Sequence, residues 1–526
     1  MRTITRVALA VLAILAGLAL APVRGPVDPR PGLVAPGGPL AQSLAAEAAA
    51  DLPALAGRPL YRITAAYDPD TRILAGNEEI WLTNASDGVM YNVYLRSEAA
   101  ALGPGEPHEN LIISGLRVGG RPATYSSGET LLVISLPEPL PAGETLRVSF
   151  DFRITLPDAT RGDLAGLYGA GPYLTGLGGF PVIPPPGQEH DKEASSFGFT
   201  WTWAPSLVDL RLDLPEGWSV AGTGLLRESR LVGVTRGAPA VLIGRDLVTL
   251  EREVGGARLR VYLPPSRRRY AERVLGEASR GLAAQQELFG PGLQREVKVL
   301  FAPLSGLQGA NLGGGVMVVD DALLSDVHLP APRTFSAPEL EPLLEWDAAL
   351  ERQMTIYHEL GHLWWSELVG RSAGGATQLD EALSEATAVL TLERVGGKAA
   401  AERRWQRTTL GYQVARLSGM PDLPLIFDGF NDERQEAQIA YSKGALFFRR
   451  LRQEVGDAAF FAALRDTLQK HRIGLMAPEG PLTELPPSPA LSELYRRWMR
   501  EARGDAEIGV LAVTDPAVRA YLGLDD

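Results

Sequence analysis

The 526-residue chain contains no cysteine. That excludes disulfides and removes thiolates from any metal site, leaving His, Asp and Glu as ligands. Histidine is scarce too, with six in all. Lysine occurs only at Lys192, Lys298, Lys398, Lys443 and Lys470, so arginine carries nearly all the positive charge. Positive charge is in deficit overall, with a net charge of -12. Such a balance argues against nucleic acid or an anionic membrane surface as a partner. Long apolar runs are missing after the N-terminus. The remaining composition, 45% hydrophobic and 22% charged, is that of an ordinary globular protein. At this length two or three domains are expected.

At the N-terminus, Arg2 and Arg6 precede an uncharged run from Val7 to Val23. A basic region before a short apolar one reads as an export signal, with Ala19-Leu-Ala21 as a cleavage site. Pro22 opposes cleavage there, so a retained membrane anchor stays open. Residues 1–23 are thus a signal or an anchor, and the body of the protein is expected outside the cytoplasm. Residues 24–57, rich in Pro, Gly and Ala, read as a linker.

From Tyr61 the pattern alternates with period two, broken by turn signals such as Asp68-Pro-Asp70. Residues 58–255 are therefore expected to be an all-β domain, a sandwich or curved sheet. At Pro264-Pro265 the character changes. Arg267–Phe289 has helical spacing, Val297–Phe301 and Val316–Val319 read as strands, and helices dominate from Glu339 on. Residues 256–526 are expected to be a mixed α/β domain ending in a helical bundle, which makes the whole chain multidomain α+β. Helices are predicted over Glu351–Val369, Asp380–Val395, Ala440–Val455, Ala458–Lys470 and Leu491–Glu501.

The second domain holds His358-Glu-Leu-Gly-His362. On a helix, residues four apart lie on one face, so His358 and His362 can share a metal ion, and zinc suits imidazole. Glu359 lies close by as a general base. A catalytic zinc keeps three protein ligands and one open position. Glu381 follows His362 after eighteen residues, room for one helix to end and another to return beside it. Glu385, one turn on, can accept a hydrogen bond from a ligating His. Tyr441, in Ala440-Tyr-Ser-Lys-Gly444, can donate to a developing oxyanion. Lys443, in a chain that prefers Arg, is expected not to be interchangeable. Trp364 and Trp365 read as core aromatics. His108, His190, His328 and His471 show no partner pattern and read as structural or exposed.

These motifs together resemble the aminopeptidase N / leukotriene A hydrolase-like zinc metallopeptidases, the gluzincins. The family's His-Glu-x-x-His-x-Trp-Phe-Gly is matched at His358, Glu359, His362 and Trp364, with Trp365 for the Phe and Ser366 for the Gly. Leu379-Asp-Glu381-Ala stands for its Leu-Asn-Glu-Gly, and Tyr441, Lys443 and Gly444 match its Tyr-x-Lys-Gly. The resemblance spans roughly residues 58–510, taking in Tyr61-Arg-Ile-Thr, Gly76-Asn-Glu-Glu-Ile80 and Leu494-Tyr-Arg-Arg-Trp498. It implies a saddle-like β domain, a thermolysin-like catalytic domain and one Zn²⁺ per chain. It also implies hydrolysis of peptides, with Glu359 as base and Tyr441 as oxyanion donor, and a strand edge at Gly313, Gly314 and Gly315 that binds substrate.

Two departures bear on specificity. The family's Gly-x-Met-Glu-Asn, whose Glu holds the substrate's amine, corresponds to Gly309-Ala-Asn-Leu-Gly313, which has no Glu. Asp320, Asp321 or the Pro-rich insert around Val327–Pro342 are the alternative sources of a carboxylate. The chain also ends near the close of the catalytic domain, from which a more open cleft is expected. Aminopeptidase, endopeptidase and a zinc-bearing surface binding protein therefore stand as alternatives.

Overall fold

The structure is a computed structural model. It describes residues 27–97, 110–128, 130–156, 173–175, 179–185, 204–304, 308–325, 347–371, 379–427 and 433–511. The N-terminal apolar run, the Pro-rich insert, His108, His190 and His328 lie outside them. Among the described residues no helix is long and apolar enough to cross a membrane.

The first domain is built on an eight-stranded sheet. Its order is Leu225–Arg227, Arg230–Arg236, Pro205–Asp213, Leu60–Asp68, Ile73–Thr83, Thr145–Thr155, Leu111–Val118 and Arg121–Pro122. Leu60–Asp68 buries every second side chain from Tyr61 on, as its alternation predicts. The buried face packs Tyr61, Ile63, Ile80, Phe150 and Phe152 into one core with Val93 and Ile134 of a three-stranded sheet. The expected β domain is present as two layers of sheet.

The second domain begins a few residues before the expected boundary. Val248–Val254 already belongs to its five-stranded sheet, which runs Val248–Val254, Ala257–Leu263, Glu296–Ala302, Val316–Asp320, Gly309–Gly313. The three central strands are parallel, and the outermost strand on one side, Gly309–Gly313, pairs among the described residues with Val316–Asp320 alone. Helix α1 (Ala271–Phe289) makes the crossover between two parallel strands. It buries Val274, Ala278 and Leu282 and stops at Gly290, where φ is 83°.

Helix α2 (Ala348–His362) starts three residues earlier than predicted. Asp347 caps it, accepting from the backbone of Ala349 at 2.9 Å. It continues through a π-helical turn, Leu363–Leu368. Helix α3 (Leu379–Gly396) packs beside it, then α4 (Lys398–Leu417), which the sequence pattern does not announce. A second π-helical turn, Ile439–Gly444, leads into α5 (Ala445–Val455) and α6 (Asp457–Lys470). The last predicted helix begins two residues early, as Pro489–Tyr495, and runs on through a further π-helical turn, Arg496–Arg500.

The linker reading needs correction. From Arg30 to Leu55 the chain forms short helical turns. Leu33, Leu40, Leu44, Leu52 and Leu55 enter the same core as α1, α2 and α3. Burying several Leu side chains outweighs a composition that otherwise favours solvated chain.

Candidate metal centre

Helix α2 presents His358 and His362 one turn apart, with imidazole centroids 4.9 Å apart. Helix α3 can come close because Gly361 has no side chain: a Cβ there would lie 3.2 Å from Cα of Ser384. This approach carries Glu381 to the two imidazoles. His358 Nε2 lies 3.1 Å from Glu381 Oε2 and 3.1 Å from His362 Nε2, and the third edge, His362 Nε2 to Glu381 Oε2, is 3.4 Å. A tetrahedral zinc with bonds of about 2.0–2.1 Å needs its ligand atoms about 3.3 Å apart. The three donors fit that ion without rearrangement, and they are the one such group among the described residues.

The surroundings fix each ligand. His358 Nδ1 faces Glu385 Oε2 at 3.2 Å, and His362 Nδ1 faces Ser384 Oγ at 3.0 Å. Arg404 Nη2 donates to Glu385 Oε1 at 3.0 Å. Ser384 and Arg404 were not anticipated. Burial would raise the Glu385 carboxyl, but Arg404 and His358 outweigh it and bring its pKa to about 2. Burial likewise works against the cationic form of His358, yet Glu381, Glu385 and Glu359 drive its pKa well above the imidazole range. Carboxylates thus outnumber the cations beside the imidazoles, a deficit that a divalent cation would fill.

Glu359 sits in the same cluster and is not one of the three donors. Its Oε2 has no hydrogen-bond partner among the described residues, and burial raises its pKa to about 7 against the opposing pull of His358 and His362. Gly309 leaves it room: a Cβ there would lie 2.6 Å from Glu359 Oε1. Tyr441 lies against His358, with ring centroids 5.4 Å apart. Burial and the carboxylates of Glu381 and Glu359 push its hydroxyl well above the phenol range, so it remains a donor. Its turn packs on α3 through Gly444, where a Cβ would lie 2.5 Å from Cβ of Ala382. Lys443 is fully buried and ties the turn down by donating to Asp422 at 2.7 Å and to the Leu423 carbonyl at 2.5 Å.

Gly313, Gly314 and Gly315 form the hairpin turn behind the outermost strand, with φ of 80°, 63° and 79°. All three are buried; side chains there would strike Thr235, Thr223 and the Glu296 carbonyl. Glu367, from the π-helical turn after α2, accepts from Gly315 N at 3.0 Å and from Asn311 Nδ2 at 3.3 Å. Asn311 Nδ2 also reaches the Glu359 carbonyl at 3.4 Å. The strand segment from Gly309 to Leu312 is half-buried and runs beside the general-base candidate.

Two of the alternative carboxylates, Asp320 and Asp321, are committed elsewhere, and the insert lies outside the described residues. Asp320 accepts from the backbone of Ala322 and Leu304 at 3.1 and 3.3 Å, and Asp321 faces Arg267 at 3.4 Å. Trp364 and Trp365 are core residues whose indoles donate to the Gly290 carbonyl and to Thr387. His471 is partly exposed, 3.6 Å from Glu484.

No family model matches the chain, and no curated protein sequence does. Solved structures do match. An M1 zinc metallopeptidase variant from Deinococcus radiodurans is 19% identical, with a TM-score of 0.56 over 87% of this chain and 94% of that one. The same protein bound to a Tyr-Ser-Ala substrate matches with a TM-score of 0.53 at 19% identity, over 87% and 94% of the two chains. Yeast LTA4 hydrolase is 14% identical, with a TM-score of 0.60 over 85% of this chain and 68% of that one. The chain therefore has the fold shared by the M1 zinc metallopeptidases and LTA4 hydrolase.

Proposed function

We propose that the protein is a zinc-dependent peptidase that holds one Zn²⁺ per chain through His358, His362 and Glu381. The observation that carries this reading is the triangle of donor atoms with edges of 3.1, 3.1 and 3.4 Å, beside Glu359, whose Oε2 has no hydrogen-bond partner among the described residues. Bound there, zinc supplies Lewis-acid polarisation and a water acidified to a pKa of about 7. Glu359 takes the proton of the attacking water and passes it to the leaving amine. Tyr441 donates to the oxyanion of the tetrahedral intermediate. The open side of Gly309–Leu312 offers backbone donors and acceptors to the substrate main chain, as a peptide added to a sheet edge would use them. A peptide substrate agrees with the tripeptide bound by the Deinococcus protein. The basic and apolar N-terminus supports export, which fusion of residues 1–57 to a periplasmic reporter tests.

Within this reading the cleavage is aminopeptidase-like, with a second form favoured by one observation. Leu312 packs against the apolar cluster around Tyr262 and Val318, on the stretch where the family's amine-binding Glu is expected. A cleft without that carboxylate tolerates peptides whose amine is blocked. Aminoacyl amides and amino-acetylated peptides, offered to the zinc-loaded protein with product ends identified by mass, separate exopeptidase from endopeptidase. Stoichiometric zinc with cleavage of neither class would sink the enzymatic reading and leave a zinc-bearing binding protein.

A further inference from the structure

Helix α4 reaches the metal centre through one side chain. Arg404 sends Nη2 to Glu385 Oε1 at 3.0 Å and Nη1 to Glu351 Oε1 at 3.3 Å. Glu385, on α3, turns its other oxygen to His358 Nδ1. Glu351 lies on α2 seven residues before His358, two turns away on the same side. Arg407 also meets Glu351, at 2.8 Å. An unbroken polar chain thus runs His358, Glu385, Arg404, Glu351, Arg407, and it stitches α2, α3 and α4 together. Its members are nearly closed to solvent, with side-chain exposures of 14% for Arg404, 8% for Glu385 and 3% for Glu351. In such a setting each fixed hydrogen bond constrains the next.

We propose that Arg404 is a positioning residue for the metal centre: its planar fork fixes the Glu385 carboxylate, and through it the His358 ring, and so sets how tightly the chain retains zinc. This rests on the metal-centre reading above. Two simpler roles give different outcomes. A mere packing contact between helices would change folding and leave the affinity for zinc intact. A purely electrostatic role would have the opposite sign, because a cation near the centre repels a dication and its removal would tighten binding. The fork predicts weaker binding whenever its geometry is lost, even with the charge kept, since Lys cannot bridge two carboxylates as a guanidinium does.

The test uses the full chain, stripped of metal and titrated with zinc alone against a chromophoric chelator. Melting of the zinc-free protein is followed in parallel. In wild type, one zinc should bind per chain. Arg404→Lys should lower the affinity about 10–100-fold, the usual scale for a lost outer partner of a ligand, and speed zinc loss to the chelator. Arg404→Met should move in the same direction. Glu351→Gln, which leaves Glu385 and its arginine in place, should weaken binding by a smaller factor and serves if the arginine variants do not fold. Wild-type affinity in Arg404→Lys, tighter binding in Arg404→Met, or an unchanged Glu351→Gln would each overturn the proposal while leaving the zinc reading standing. A wild-type chain that binds no zinc would overturn both.

Discussion

Two glutamates of this chain share a predicament and differ in everything around it. Glu78, in the middle of the eight-stranded sheet, is fully buried, and neither carboxyl oxygen has a hydrogen-bond partner among the described residues. Its cross-strand neighbours are Ile63 and Phe150. Glu359 is buried beside the metal centre, and its Oε2 has no partner among the described residues. Burial raises both carboxyls, Glu78 well above the usual range and Glu359 to about 7. At Glu78 burial acts alone. At Glu359 two imidazoles pull the other way, a tyrosine faces the same cluster, and a strand edge passes alongside. A perturbed carboxyl is therefore not in itself a sign of catalysis; the groups that can share its proton decide.

The comparison breaks most sharply on activity. Glu359→Gln should retain zinc and lose about 10³–10⁴-fold in turnover, near the upper range for a lost general base. Glu78→Gln should leave turnover unchanged. Equal losses in the two, at equal zinc content, would erase the distinction. Tyr441→Phe should cost about 10²–10³-fold in kcat with little change in zinc content, the scale of one missing oxyanion donor. A loss confined to KM would place Tyr441 in binding instead. The pH profile gives the next effect. Activity needs the Glu359 carboxylate, so kcat/KM should fall toward acid through its pKa. With zinc loaded, the ion's charge favours the carboxylate and sets that limb below the value of about 7 found without metal. Steady-state rates between pH 4 and 9 locate the limb, and a limb that persists unchanged in the residual activity of Glu359→Gln would exclude Glu359 as its source.

The residues around Glu359 were largely readable in the sequence, and the reason is helical spacing. His358, Glu359 and His362 share one helix, and Glu381 with Glu385 share another, so a gap of four residues already states geometry. Residues that join the cluster from other elements carry no such signal. Glu367 and Asn311 meet only after the outermost strand folds against α2. Ser384 lies three residues after Glu381, a spacing that points to the same face, yet a lone Ser in a helix is common. Arg404 was hidden because its helix was. The buried positions Ala401, Trp405, Thr408, Tyr412 and Ala415 recur at helical intervals, but Thr and Ala among them leave no apolar stripe. The β domain was legible through period-two burial, whereas Leu33 to Leu55 were masked by their Pro, Gly and Ala neighbours.

The smallest effect concerns stability alone, and it sharpens the comparison from the other side. Glu78 binds its proton more tightly in the folded chain than in the unfolded one. Between the two pKa values the folded state holds a proton that the unfolded state has released. Stability is therefore fully present below the unfolded value of about 4.3 and declines as pH rises toward the folded one. Replacing the carboxyl with an apolar side chain of similar length removes both the unpartnered polar group and that decline. Glu78→Met should thus stabilise the chain by about 1–3 kcal/mol at pH 7, the scale of a buried polar group without a partner. The gain should shrink at pH 4.5, where the native carboxyl costs less. Melting curves of the two proteins at both pH values give the answer. A loss of stability at pH 7 would mean that Glu78 does have a partner, and the contrast with Glu359 would then rest on the metal centre alone.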